Sequence, residues 1–232
     1  MKTISIIALA TLFIIHANFA QTINWANVDD HTLNFNAGLD YSVSYGLGYG
    51  YKLKTKLPII LNLEFSSSSG EILLDDYKIK IGGQVNIVRF NHLLFNIRLQ
   101  SVFRRYENSF ARLVDFGSDF AGTLGYYRKR WFVSSEVGFD KAIVTHFKHT
   151  DQYSEYYPDV VNGWYEPSTG GNFYYGLQSG VGIGNIDLYA KAGKLISQDF
   201  KTAPFLPYYA QLGINYRFHK SLAQKDKWLD IR

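Results

Sequence analysis

Few residues in this 232-residue chain have the types and spacing for chemistry. Asp75 and Asp76 stand side by side ahead of one alternating segment, and His146, His149 and Asp151 cluster at the end of another. A carboxylate pair facing a His–Asp pair could hold a water molecule and take its proton, which is the chemistry of a hydrolase at a loop rim. The same groups could bind a surface metal ion, and in loops they are also ordinary solvated charge. Other chemistries are excluded more firmly. The chain has no cysteine, which removes disulfides, thiolate metal sites, a Cys nucleophile and a lipidated Cys anchor. The Gly-x-Gly-x-Gly runs at Gly46–Gly50 and Gly180–Gly184 sit inside alternating segments with no helix after them, so they do not cradle phosphate. Lys and Arg are interspersed with Asp and Glu at a formal charge of +4, so no nucleic-acid footprint is expected. No cofactor and no metal site are expected.

The elements that must position these groups are legible from periodicity. From Leu33 to Leu53 every odd residue is Leu, Phe, Ala, Tyr or Val, and every even one is Asn, Gly, Asp, Ser or Lys. A period of two is an extended chain with one apolar face and one polar face. The pattern recurs in eight later segments: Ile60–Ser66, Tyr77–Val88, Leu93–Phe103, Asp115–Tyr127, Trp131–Phe147, Phe173–Gly184, Ile186–Ser197 and Leu206–Phe218. Between them short connections (KTKLP, RFNH, RKR, GN) alternate with mostly longer ones (SSSSGEILLDD, RRYENSFARLV, the stretch from His149 to Asn172, and KTAPF).

A one-sided soluble sheet also alternates. Three further features point to a bilayer. The first is a leader, MKTISIIALATLFIIHANFAQ, whose apolar run from Ile4 to Ile15 is too short to span as a helix and fits a secretory signal cut after Ala20. The second is the alternation of loop lengths. The third is the placing of aromatics near segment ends (Tyr77, Phe103, Tyr126, Tyr127, Trp131, Phe132, Phe173, Tyr208 and Phe218), read as two interfacial girdles. In lipid every backbone group must be paired internally, so strands crossing it must close into a barrel. The expectation is an all-β, antiparallel up-and-down transmembrane β-barrel over residues 21–218, after a signal peptide at 1–20 and before a periplasmic tail at 219–232. Ten strands are favoured, because both termini belong on the periplasmic side. The tenth would come from Thr22–Asp40 or from a split near Asp40, and eight strands is the alternative.

On these residues the chain resembles the small outer-membrane β-barrel proteins of Gram-negative bacteria, and its leader ending in FAQ with a Gly/Tyr-rich first strand resembles those of Bacteroidetes-type bacteria. The last segment, YYAQLGINYRF, is similar to the terminal strand such proteins offer the barrel-assembly machinery. Tyr208, Leu212, Ile214, Tyr216 and Phe218 would carry that signal, although HKSLAQKDKWLDIR follows where the chain would ordinarily stop. The resemblance implies a cell outer-membrane location, outer-membrane lipid and the assembly machinery as partners, and a possible envelope-protein partner. The rim carboxylates and histidines also resemble those of the ten-stranded omptin proteases. Here, however, the Asp residues are adjacent instead of separated by one, and the His precedes its Asp. A lipid-modifying hydrolase of the small-barrel type needs His-x-Ser facing lipid, and no His of the strands or their connections is followed two residues later by Ser.

The polar phase then faces the lumen. It carries Asp40, Glu64, Lys78, Lys80, Arg98, Asp119, Glu136, Asp187, Lys191 and Arg217, both signs together, along with several glycines that either admit bulky neighbours or leave a cavity. In so narrow a barrel side chains fill the interior and opposite charges pair. The expected role is non-enzymatic: a barrel with a filled lumen and a structural or interaction task through its external loops. Tyr156, Tyr157, Trp164 and Tyr165 would form the recognition surface or a lid. A narrow porin-like channel and an outer-membrane hydrolase at the extracellular rim are the alternatives.

Overall fold

A computed structural model of the chain describes residues 21–39, 42–69, 74–166, 171–201, 204 and 206–219. The expected signal peptide, Asp40, and the tail from residue 220 onward lie outside the described residues. Among the described residues the strands are β1 (His31–Leu39), β2 (Val43–Lys52), β3 (Ile59–Ser68), β4 (Asp76–Phe90), β5 (Leu93–Glu107), β6 (Ala111–Tyr127), β7 (Trp131–His149), β8 (Gly163–Tyr165), β9 (Gly171–Ile183), β10 (Ile186–Ser197) and β11 (Tyr208–Phe218), with a helix, α1 (Asp151–Tyr156), between β7 and β8. All but β8 form a closed antiparallel barrel of ten strands. Each pairs with its neighbours in chain order, and β1 meets β11 from His31↔Phe218 to Leu39↔Ala210.

The tenth strand comes from dividing the long N-terminal alternation near Asp40. The partners Leu39 and Val43 face each other at the top of the β1–β2 hairpin, and both are odd-numbered. An odd-to-odd register keeps the apolar phase unbroken through the turn, which is why periodicity alone gave no sign of it. The short turns at the other rim use residues that tolerate left-handed backbone: Asn91 has φ +54° and Gly184 φ +58°.

About 9–11 tilted residues cross a bilayer. β1, β2 and β3 have 9, 10 and 10 residues, whereas β5, β6 and β7 have 15, 17 and 19. The excess lies at the long-loop rim, where these strands stand up as a projecting sheet. The stretch RRYENSFARLV, expected to be a loop, is therefore mostly strand, and β5 and β6 turn over three residues, Asn108–Phe110. Asn108 Oδ1 accepts from the backbone N–H of Phe110 and Ala111, at 2.9 Å each, and closes that turn. Two register shifts, between Asn86 and Val88 on β4 and opposite Phe116–Gly117 on β7, insert one extra residue each. Such bulges reverse the facing of everything beyond them. On β7 the second bulge turns His146 and Lys148 outward.

Candidate functional site

The outer wall is apolar between two bands of rings. On the long-loop side Phe65, Tyr77, Phe103, Phe116 and Trp164 touch in sequence, with centroids 5.2–6.1 Å apart. On the short-turn side the rings are Tyr216, Phe218, His31, Tyr49 and Tyr51, and separately His92, Tyr126 and Trp131. On β6 the bands are marked by Phe116 and Tyr126. Ten steps (126 − 116) at about 3.3 Å, tilted by about 40°, give roughly 25 Å, the height of a hydrocarbon band. Two of the residues assigned to the girdles from sequence belong elsewhere. Tyr127 and Phe132 are buried inside the barrel, stacked 5.6 Å apart. Each follows a true girdle residue, Tyr126 or Trp131, and consecutive strand residues face opposite sides.

Inside, Glu64, Lys78, Lys80, Arg98, Asp119, Glu136, Asp187, Lys191 and Arg217 are all buried. Six of them interlock at mid-height. Lys80 Nζ lies 2.9 Å from Asp119 Oδ2, Arg98 bridges Asp119 (3.6 Å) and Glu136 (3.3 Å), and Lys191 pairs with Glu136. The Tyr174 hydroxyl donates to Asp119 at 2.7 Å and accepts from Arg98 at 2.8 Å, and Gln100 donates to Glu64 at 2.8 Å. Lys80, Arg98 and Lys191 balance Glu64, Asp119 and Glu136 in charge, so the layer presents no excess of either sign to an ion. Above it, Arg104 grips Asp76 through Nε and Nη2, both at 2.8 Å. At the short-turn rim Arg217 holds Asp187 at 2.8 Å and Asp29 at 3.4 Å.

The glycines make room for rings. A Cβ on Gly213 would stand 2.2 Å from the Tyr189 ring, and one on Gly138 would stand 2.2 Å from Tyr174. The alternative of a cavity does not arise at those positions, because tyrosines occupy the space.

One functional segment went unread in the sequence. Residues Gln21–Trp25, ahead of β1, run inside the barrel at the short-turn end, and all five are buried. Ile23 and Trp25 join the inward-facing Ile60, Leu94, Tyr127, Phe132 and Tyr189 in an apolar cluster. The lumen wall binds the polar groups of the segment. Gln84 and Asn215 donate to the carbonyls of Gln21 (3.0 Å) and Thr22 (2.7 Å), Asn62 donates to Gln21 Oε1 (2.6 Å), Thr22 donates to Gln178 (2.8 Å), and Arg89 donates to the Trp25 carbonyl (3.2 Å). The available signal was the break in the polar inward phase: Ile60, Leu94 and Phe132 are apolar residues on the face that should have been polar, and all three sit near one rim.

The rim groups considered for hydrolysis do not converge. The Asp76 carboxylate is engaged by Arg104. Register carries Asp76 to Tyr106, Tyr106 to Leu113 and Leu113 to Phe147, so three interstrand steps, roughly 14 Å, part it from the histidine strand. His146 packs edge-on against Trp164 at 4.8 Å, and His149 stacks on Tyr153 at 5.3 Å while its ring bonds Asn162 at 2.9 Å. Asp75 lies in the turn before β4.

Of the loop aromatics, Trp164 and Tyr165 belong to β8, which pairs with β7 on the outer edge of the projecting sheet, Trp164 opposite His146. Trp164 lies against Phe116 on the outer wall and is no lid. Tyr156 and Tyr157 end α1 and are exposed, and Tyr153 beneath them packs on Phe110, His149 and Tyr157. On β11, Tyr208, Leu212, Ile214 and Tyr216 face outward, and Phe218 stacks on His31 at 5.0 Å.

No known family model matches the chain, and no curated protein does. Among solved structures its fold is similar to the KdgM porin (TM-score 0.40, 8% identity, 81% of this chain and 99% of that one) and to the same porin in complex with disordered oligogalacturonate (0.40, 9%, 81% and 99%). It is also similar to the N-terminal β-barrel domain of Pseudomonas aeruginosa OprF (0.39, 10%, 82% and 98%). None of these passes a substrate or a residue role to this chain.

Proposed function

We propose that this chain is an exported, integral outer-membrane barrel of a Gram-negative cell, non-conducting at rest, whose working surface is the projecting β5–β8 sheet with α1. The observation that carries the reading is the occupied lumen: a charge-balanced layer at mid-height and residues Gln21–Trp25 below it, both tied to the wall. A barrel filled this way serves as a rigid mount. The exposed Tyr156, Tyr157 and Tyr165 are the recognition side chains it holds outside the cell, for an envelope or extracellular partner, while Trp164 belongs to the aromatic band. The outward residues of β11, from Tyr208 to Phe218, are the signal read by the assembly machinery.

Planar-bilayer recording tests this. The wild-type protein should insert without steady conductance, while a chain lacking Gln21–Val28 should show larger or more frequent steps. Stable wild-type single-channel steps would favour the porin-like alternative.

A further inference from the structure

Outside the lumen, the strands aim six charged side chains outward: Arg105, Glu107, Arg112, Lys141, Lys148 and Lys194. All six lie in the long-loop halves of their strands, and five are cations. Four of them share one surface. Across β5, β6 and β7 the ladder places Phe103 opposite Phe116, which faces Val144; then Arg105 opposite Val114, which faces His146; then Glu107 opposite Arg112, which faces Lys148. One patch thus passes from apolar to mixed to charged over three rows, starting at the aromatic band. Its charge, with histidine neutral, is +2: three cations against Glu107. Glu107 is bonded to both Arg105 and Arg112, with Arg112 Nε and Nη2 at 2.9 Å each, so the two guanidinium groups are held side by side. Trp164 and His146 wall the patch on the β8 side.

We infer that this outward face of β5–β7 is a docking surface for the phosphorylated headgroups of outer-leaflet lipid, with Arg105, Arg112 and Lys148 binding phosphate while Phe103, Phe116 and Trp164 rest against the acyl chains. Two observations select that occupant. The cations stand directly above an aromatic band, at the depth where headgroups lie. They also point away from the lumen, so a solute passing through the barrel would not meet them. Arginine suits the task because its planar fork matches phosphate oxygens. The inference rests on the membrane reading above.

The test uses the full chain inserted in nanodiscs of phosphatidylcholine, alone or mixed with bis-phosphorylated lipid A, with retained lipid counted by native mass spectrometry. Each surface cation near an anionic layer is worth roughly fivefold, so R105Q/R112Q/K148Q should hold lipid A about a hundredfold more weakly. E107Q, which removes the one anion, should hold it more tightly. Equal retention by wild type and triple variant would overturn the proposal. So would displacement of lipid A by inorganic phosphate at equal concentration, because the site would then be one for the free anion. Insertion into phosphatidylcholine alone is read separately from heat-shifted mobility. A chain that fails there sinks the membrane reading itself, whereas one that inserts but does not discriminate sinks only the headgroup site.

Discussion

At the scale of single residues, Arg98 has the largest share in the lumen, since it bridges Asp119 and Glu136 and donates to Tyr174. Arg98→Met would keep the bulk but leave Glu64, Asp119 and Glu136 with only Lys80 and Lys191 to balance them, an uncompensated buried charge that costs about 3–5 kcal/mol. Tyr174→Phe removes one hydroxyl that both gives and takes a bond, about 1–3 kcal/mol. Urea unfolding in lipid vesicles would rank them, and a Tyr174→Phe cost equal to or above that of Arg98→Met would show that the network is not centred on Arg98. Outside the barrel wall, hydrogen bonds from Arg112 hold the Glu107 carboxyl below its ordinary value, with Arg105 adding to the effect. A carboxyl lowered in the folded state stabilises above its unfolded pKa, about 4.3, and the contribution is lost as pH falls through the lower folded value. The tip of the β5–β6 hairpin should therefore hold its clamp at neutral pH and release it only in acid. An NMR titration of the Arg112 Nε resonance would follow this, and in E107Q the step should vanish.

At the scale of elements, the N-terminal segment offers the sharpest contrast between what the sequence displays and what it conceals. Strand existence, facing and the short-turn rim were readable because each strand alternates against two different solvents, and a slip of one residue would put Glu64 or Arg98 into hydrocarbon. The β1–β2 turn was hidden by its odd-to-odd register. The projection of β5–β7 was hidden because Arg104–Glu107 is polar enough to pass for loop and Ala111–Val114 is only four residues long, and nothing local shows that water-facing strands continue there. Gln21–Trp25 was concealed for a different reason. Its partners Ile60, Leu94, Phe132 and Tyr189 come from β3, β5, β7 and β10, far away in sequence, so no window contains the pattern. Trp25→Ala should cost about 3–5 kcal/mol if that indole fills the cluster. The loss should shrink in a chain already carrying Ile60→Ala, which empties part of the same cluster, and an undiminished loss there would mean that Trp25 does not pack in it.

At the scale of the whole molecule, the fold has exchanged the usual placement of polar and apolar residues. Most charges of its strands are buried within and most of its Leu, Val and Phe lie on the outer wall, an arrangement suited to a surround of hydrocarbon in place of water. Leu99 makes the point testable. It lies on β5 between the two aromatic bands and is 60% exposed on the outer wall. In a water-soluble protein a change at such an exposed leucine is worth within about ±0.5 kcal/mol. If the wall meets lipid, Leu99→Arg sets a guanidinium near the bilayer midplane and costs about 2–4 kcal/mol. The cost should shrink for the same substitution nearer the band, as at Leu93, because depth in the bilayer sets the penalty and residue type does not. Reversible unfolding of both variants in vesicles measures that slope, and a flat result would put water on the outside of the barrel. A flat result would also remove the ground for the headgroup surface, since Arg105, Arg112 and Lys148 take their meaning from standing where a depth-dependent penalty has fallen to nothing.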